Sequence, residues 1–287
     1  MSGSRTRGLE RPEENRRPSP SGAELAPRAV PILTYHSLDA SRSVISVDPR
    51  VFASHMRRLA RRGFTGIPLS RLLAAWREDA ELPARPVVIT FDDGFENFFD
   101  CAAPLLTELG FGATVFAVAG YLGRKNDWRQ AAEVTRLPLM GMDRLRELAR
   151  RGFEIGAHSV SHPRLTKLSA EALEREVGDS RRILEDGLGL AVPCFAYPYG
   201  ALDPAVKRAV GGTYSAACGA RLAVARPTDE PCELPRLDMY YFRGGFTHRL
   251  LCTRPGAAYL ALRGLGRRLR ARAGRATPDS LLATKGL

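Results

Sequence analysis

The sequence has no CxxC pair, and its five cysteines (Cys101, Cys194, Cys218, Cys232 and Cys252) are odd in number. At 287 residues the chain is too large to need disulfide staples, so a disulfide scaffold is excluded. The cysteines read as reduced and mostly buried. No run of about 18 apolar residues occurs, which argues against a membrane-spanning helix. The stretch 1–28 lacks the apolar core of a signal peptide and is rich in Arg, Pro, Ser and Glu, so a disordered leader is expected. These features together predict a cytoplasmic protein. Neither an aromatic–basic motif nor zinc-finger spacing is present, and nucleic acid is not expected as a partner. There is no interior linker or repeat, which predicts one domain over 29–275 and a frayed tail over 276–287.

Positive charge is abundant: 43 basic against 31 acidic residues, a formal net charge of +12. Such an excess suits an anionic partner, although an Arg-, Ala-, Gly- and Leu-rich composition also follows from a GC-rich genome. Arg263, Arg267, Arg268, Arg270, Arg272 and Arg275 crowd the C-terminal segment, with Leu and Ala between them. A basic amphipathic segment of this kind can rest on an anionic membrane at its inner face, or can be a solvated helix end.

Apolar runs at 29–35, 64–68, 86–91, 113–119, 153–157, 191–196, 213–218 and 234–238 read as strands. Helical spacing appears at 49–62, 69–77, 99–109, 143–151, 169–188, 204–210 and 253–272, with Ser70 and Ser169 as candidate caps. Strand and helix alternate, so an α/β fold with mostly parallel strands is expected. The polar clusters fall at strand C-terminal ends, where barrel-like α/β folds carry their active sites.

Thr90-Phe91-Asp92-Asp93-Gly94 ends a buried strand on two adjacent carboxylates. Each raises the other's proton affinity, so a compensating cation is needed, and a metal is the usual one. Histidine is scarce, five in all, yet His158 and His162 stand four apart in HSVSH. Pro163 follows and a strand precedes, so a tight turn is expected rather than the helix that usually carries this spacing. Two imidazoles and one carboxylate, here Asp93, leave open positions on zinc, as in a catalytic site. A surface His pair and a capping Asp pair are the plainer alternatives. A bound metal would acidify a water and polarise a carbonyl, and Asp92 could take the water's proton. Neighbours in an extended strand point to opposite faces. A turn at Gly94 would bring both carboxylates to one pocket, in different roles.

TFDDG at 90–94, HSVSH at 158–162 and FAYPYG at 195–200, in this order and spacing, resemble the polysaccharide deacetylase family (NodB homology, carbohydrate esterase family 4). The resemblance spans roughly 31–238, with PILTYHSL, FGATVFAVAGYLG and RLRELARRGFEIGAHS agreeing around the motifs. It implies a distorted (β/α) barrel and metal-dependent hydrolysis of N-acetyl groups on amino sugars. It also implies Asp92 as catalytic base and Asp93, His158 and His162 as metal ligands. The backbone N–H of Tyr197 would help hold an oxyanion and Tyr199 would line the sugar site, with packing as the alternative for both. Zinc is the first choice of metal, with cobalt, nickel and manganese open.

Two departures stand out. Many members carry an Arg where this chain has Ala196; Arg236 in LPRLD is the candidate to orient Asp92, or else an ordinary surface Arg. The family's late Leu-x-His motif, whose His is the general acid, has no clear match. His36 in LTYHSL and His248 in GGFTHRL compete for that role. His36 is preferred because it follows a core strand; a structural rim histidine is the alternative. His55 reads as surface or packing. Asp238 could support a histidine or bind sugar, and Trp128 could stack on a sugar ring or anchor its loop. The expected substrate is an acetylated amino sugar on a lipid-linked, nucleotide-linked or small-molecule glycan. An O-acetyl esterase and a catalytically idle carbohydrate binder are the competing readings.

Overall fold

Aliphatic and β-branched runs, each cut by Gly, Asp or Pro, form short strands in the computed structural model, which describes residues 29–266 apart from 79, 129–133, 245, 246, 254, 257, 261 and 265. The elements follow in the order β1 (Ile32–Tyr35), β2 (Ser37–Leu38), β3 (Ser46–Val47), α1 (Pro49–Arg61), β4 (Thr65–Ile67), α2 (Leu69–Glu78) and β5 (Pro86–Phe91). Then come α3 (Ala103–Glu108), β6 (Thr114–Ala117), α4 (Met142–Arg150), β7 (Glu154–Ala157) and α5 (Ala170–Leu188). The series ends with β8 (Cys194–Ala196), α6 (Pro204–Thr213), β9 (Ala216–Cys218) and β10 (Leu237–Asp238). The α/β alternation read from the sequence is the observed one.

The main sheet is parallel and runs β10-β1-β5-β6-β7-β8-β9. β4 pairs with the first half of β5, through Val88, and β6 with the second, from Thr90 onward. The sheet curls into a barrel, and one segment closes it. Leu234 bridges to Cys218 on β9, while Leu237 and Asp238 pair with Leu33 and Thr34 on β1. Arg236 therefore lies in the closing segment.

Side chains alternate across the sheet with period two. Leu33, Tyr35, Val87, Ile89, Phe91, Val115 and Ile155 pack outward with Phe52, Met56, Leu59, Leu145, Leu148, Val177 and Leu184 of the helices. Ile32, Val88, Phe116, Cys194, Ala196, Ala216 and Cys218 face inward, where Leu69, Leu72 and Leu73 of α2 plug the barrel floor. Thr90 and Asp92 continue the inward face of β5 after Val88, so the strand's pleat aims Asp92 into the barrel mouth.

Caps follow local chemistry. Asp48 accepts from Arg50 N–H ahead of Pro49, and Ser169 accepts from Ala172 N–H. Ser70, expected as a cap, lies inside α2. Its N–H donates to Glu154 Oε2 at 3.1 Å and Leu69 N–H to Thr114 Oγ1 at 2.9 Å, so neighbouring strands cap this helix. All five cysteines are free thiols, but only Cys194 and Cys218 are fully buried. Among the described residues no helix is long and apolar enough to cross a membrane. The expected leader, the frayed tail and Arg267 to Arg275 lie outside the described residues. Arg263 rests its guanidinium over Tyr241 and Tyr259.

Candidate metal and catalytic site

The end of β5 separates the two carboxylates by a change of backbone hand. Asp92 is still extended, its N–H donating to Tyr35 O at 3.0 Å. Asp93 and Gly94 then take φ of 72° and 75°. The two left-handed residues reverse the chain, so Asp93 reaches the same barrel mouth as Asp92 rather than the opposite face. The φ of 75° at Gly94 is one that residues with a Cβ adopt at a cost, so the turn favours Gly for its backbone.

Asp92 is met by Arg236. Nη1 donates to Oδ1 at 2.7 Å and Nη2 to Oδ2 at 2.8 Å, a bidentate fork. Arg236 is itself fixed by Nε donating to Gly219 O at 3.2 Å and Nη1 to Thr90 Oγ1 at 3.3 Å. Burial would raise the Asp92 carboxyl, but Arg236, with His158 and His36 beyond it, outweighs burial and holds the group well below the usual carboxylate range. His36 Nε2 stands 3.7 Å from Asp92 Oδ2, partly open to solvent.

Asp93 faces the histidines. Its Oδ1 lies 3.5 Å from His158 Nε2 and 3.3 Å from His162 Nε2. The three donor atoms sit within 4.8 Å of one another, and all three residues are buried. His158 continues β7, with its N–H donating to Ala117 O at 2.9 Å. Its Nδ1 is 2.7 Å from Ala196 O. A carbonyl there requires Nδ1–H, which turns the Nε2 lone pair toward Asp93, as a metal ligand needs. Burial pulls the His158 imidazole down to about 4 despite the opposing pull of Asp92, so the ring is a neutral donor at neutral pH. An N₂O donor set of this composition fits zinc or a neighbouring divalent ion.

His162 sits in an aromatic frame. Its ring centroid is 4.8 Å from Trp128, 4.6 Å from Tyr199 and 4.8 Å from His158. Tyr121 meets Trp128 edge-on at 4.9 Å, and Arg164 lies over Tyr199 at 5.1 Å. Non-glycine residues with positive φ are uncommon. Six occur among the described residues, and Asp93, Ser159, His162 and Tyr199 are four of them. Strained backbone therefore gathers at this rim, which is where function tends to store it.

Six residues singled out in the sequence, Asp92, Asp93, His158, His162, Arg236 and His36, thus converge, with Trp128 and Tyr199 packed on His162. Tyr197 does not join them. Its N–H donates to Cys218 O at 3.2 Å and its hydroxyl to Cys232 O at 2.7 Å. The expected oxyanion and substrate role is corrected: β8 pairing uses the amide, and the ring is buried. Asp238 caps the turn after β10 by accepting from Tyr240 N–H at 3.0 Å. His55 is a core residue, bonded to Tyr35 Oη at 3.0 Å and near Phe242 O at 3.2 Å. The His248 side chain lies outside the described residues. Ser159 and Glu176, which no motif marks as functional, hold the histidine turn. Ser159 lay inside HSVSH and could have been noticed; Glu176, in the middle of α5, carried no local signal.

A parallel barrel whose mouth joins paired carboxylates to two histidines has the make-up of a metal-dependent hydrolytic site. Residues 79–213 match the family model described as polysaccharide deacetylase. YxkH of Bacillus subtilis, which bears the polysaccharide deacetylase name, is 25% identical over 187 residues, covering 65% of this chain and 62% of that protein. The poly-beta-1,6-N-acetyl-D-glucosamine N-deacetylase of Staphylococcus aureus is 25% identical over 177 residues, covering 57% of this chain and 58% of that one. The chain therefore spans less than two thirds of the length of both relatives. Among solved structures, the Streptococcus pyogenes deacetylase PplD superposes with a TM-score of 0.64 at 21% identity, over 74% of this chain and 93% of that one. IcaB from Ammonifex degensii gives 0.64 at 24% identity, over 73% and 91%. Both show the shared fold.

Proposed function

We propose that this domain hydrolyses the N-acetyl group of an amino sugar within a glycan or glycoconjugate, with a divalent metal held by Asp93, His158 and His162. The carrying observation is the buried Asp93–His158–His162 cluster beside an ionised, Arg-clamped Asp92. A bound divalent ion supplies a Lewis acid that acidifies water and polarises the amide carbonyl.

Asp92 accepts a proton from the attacking water. The Arg236 fork keeps its carboxylate oriented and ionised, ready to act as base at neutral pH. His36, 3.7 Å from Asp92, donates a proton to the amine as the C–N bond breaks, so acetate and a free amine leave. Tyr199 and Arg164 form one wall of the mouth, for the sugar. The relatives' names support a carbohydrate substrate, and the N₂O donor set supports zinc, with cobalt, nickel and manganese as alternatives.

Acetate release tests this. The panel comprises N-acetylglucosamine oligomers, a nucleotide-linked N-acetyl sugar, a lipid-linked one and an acetylated xylan fragment. Release that is abolished by chelator and restored by zinc or cobalt supports the proposal. Release from the xylan alone would make the domain an O-acetyl esterase. A protein that binds metal and sugar but releases no acetate would be an idle binder.

A further inference from the structure

The segment between the two histidine ligands is a strained turn with little sequence reason to hold its shape. Ser159 and His162 have φ of 64° and 58°, conformations costly for residues with a Cβ. Small errors here would splay the two imidazoles, so something outside the turn must fix it.

Hydrogen bonds account for the backbone from three sides. His162 N–H donates to Ser159 Oγ at 3.0 Å. Ser159 O and Val160 O accept from Ala119 N–H at 3.0 Å and Gly120 N–H at 2.8 Å. A Cβ on residue 120 would lie 2.7 Å from Val160 O, so the Gly permits that approach. The third side is Glu176 on α5. Its Oε2 accepts from Val160 N–H and Ser161 N–H, both at 2.9 Å, and its Oε1 accepts from Ser161 Oγ at 2.5 Å. Three donors meet one carboxylate, which has only acceptors to offer.

We infer that Glu176 is a positioning residue of the metal site: it clamps the Val160–Ser161 backbone and so sets the spacing of His158 and His162. This rests on the metal reading above. The role acts through the turn, since the contacts of Glu176 are to residues 160 and 161. Outer partners of metal ligands typically govern affinity by about 10–100-fold. The carboxylate's charge is not what the geometry requires. A glutamine can place Oε1 on the two N–H groups and donate its amide to Ser161 Oγ, keeping all three bonds.

Zinc and cobalt affinity by equilibrium dialysis, beside thermal unfolding of the metal-free protein, tests this. Glu176→Ala is expected to weaken metal binding by about 10–100-fold, whereas Glu176→Gln stays close to wild type, and so does Glu174→Ala on the exposed face of α5. Amide exchange at residues 160–161 should accelerate in Glu176→Ala before metal is added. Should Glu176→Ala fail to fold, Ser161→Ala removes one bond and is expected to cost about 2–10-fold in affinity. Wild-type affinity in Glu176→Ala, or in Ser161→Ala when it stands in, overturns the inference, as does Glu176→Gln binding as weakly as Glu176→Ala. A wild-type protein that takes up neither ion overturns the metal reading and this inference together.

Discussion

Asp92 and Asp93 are neighbours in the chain, yet they occupy opposite halves of the site. Asp92 meets a guanidinium fixed by Gly219 and Thr90 and delivered by the segment that closes the barrel. Asp93 meets the imidazoles of His158 and His162, brought by a turn after β7. The first carboxylate has a permanent cation supplied by the fold. The second faces two imidazole nitrogens, donors that can share an added cation with it. The difference explains how two like charges coexist at one strand end: each is compensated by a different kind of partner.

That contrast can be broken from either side. The largest effect should come from His162→Ala. With one of three ligands gone, zinc is expected to fall from near-stoichiometric to undetectable in dialysed protein, and activity should vanish with it. Asp92→Asn should do the reverse. Metal content stays near one per chain while turnover drops by about 10²–10⁴-fold, the worth of a general base. If Asp92→Asn also emptied the site, the two carboxylates would not have separate roles.

Arg236→Ala leaves Asp92 buried without its partner, which should cost about 3–5 kcal/mol in chemical denaturation. Asp92→Asn combined with Arg236→Met should recover much of that stability without recovering turnover. Stability unchanged in Arg236→Ala would mean that the fork is not what holds Asp92. Trp128 gives the smallest effect. Loss of its ring from His162 in Trp128→Ala should weaken metal binding by about 2–10-fold, the scale of one aromatic contact. Metal addition should also change tryptophan emission in the wild type and leave it unchanged in Trp128→Phe, where Trp76 is the remaining fluorophore.

The histidine side was the more legible. Asp93, His158 and His162 are grouped by short motifs, and the pattern of buried strands put each motif at the same barrel end. The Arg236 side was visible only as one option among several, because 144 residues separate it from Asp92. Tyr197 shows the opposite error. Lying in a recognisable motif, it was assigned chemistry, but β8 pairing with Cys218 uses its amide. For Trp128 the sequence allows a sugar platform or a loop anchor, and in the structure its ring packs on His162.

Local sequence sets the alternation of strand and helix, the strand-end placement of TFDDG and HSVSH, and the identity of three donors able to hold a metal. These are local properties, written in hydrophobic periodicity and residue type. Tertiary structure decided which cation reaches Asp92, which carboxylate steadies the histidine turn, and which ring backs His162. Those partners come from the closing segment, from α5 and from the loop after β6. Long-range contacts of this kind are selected by barrel closure and packing, and no short window of sequence carries them.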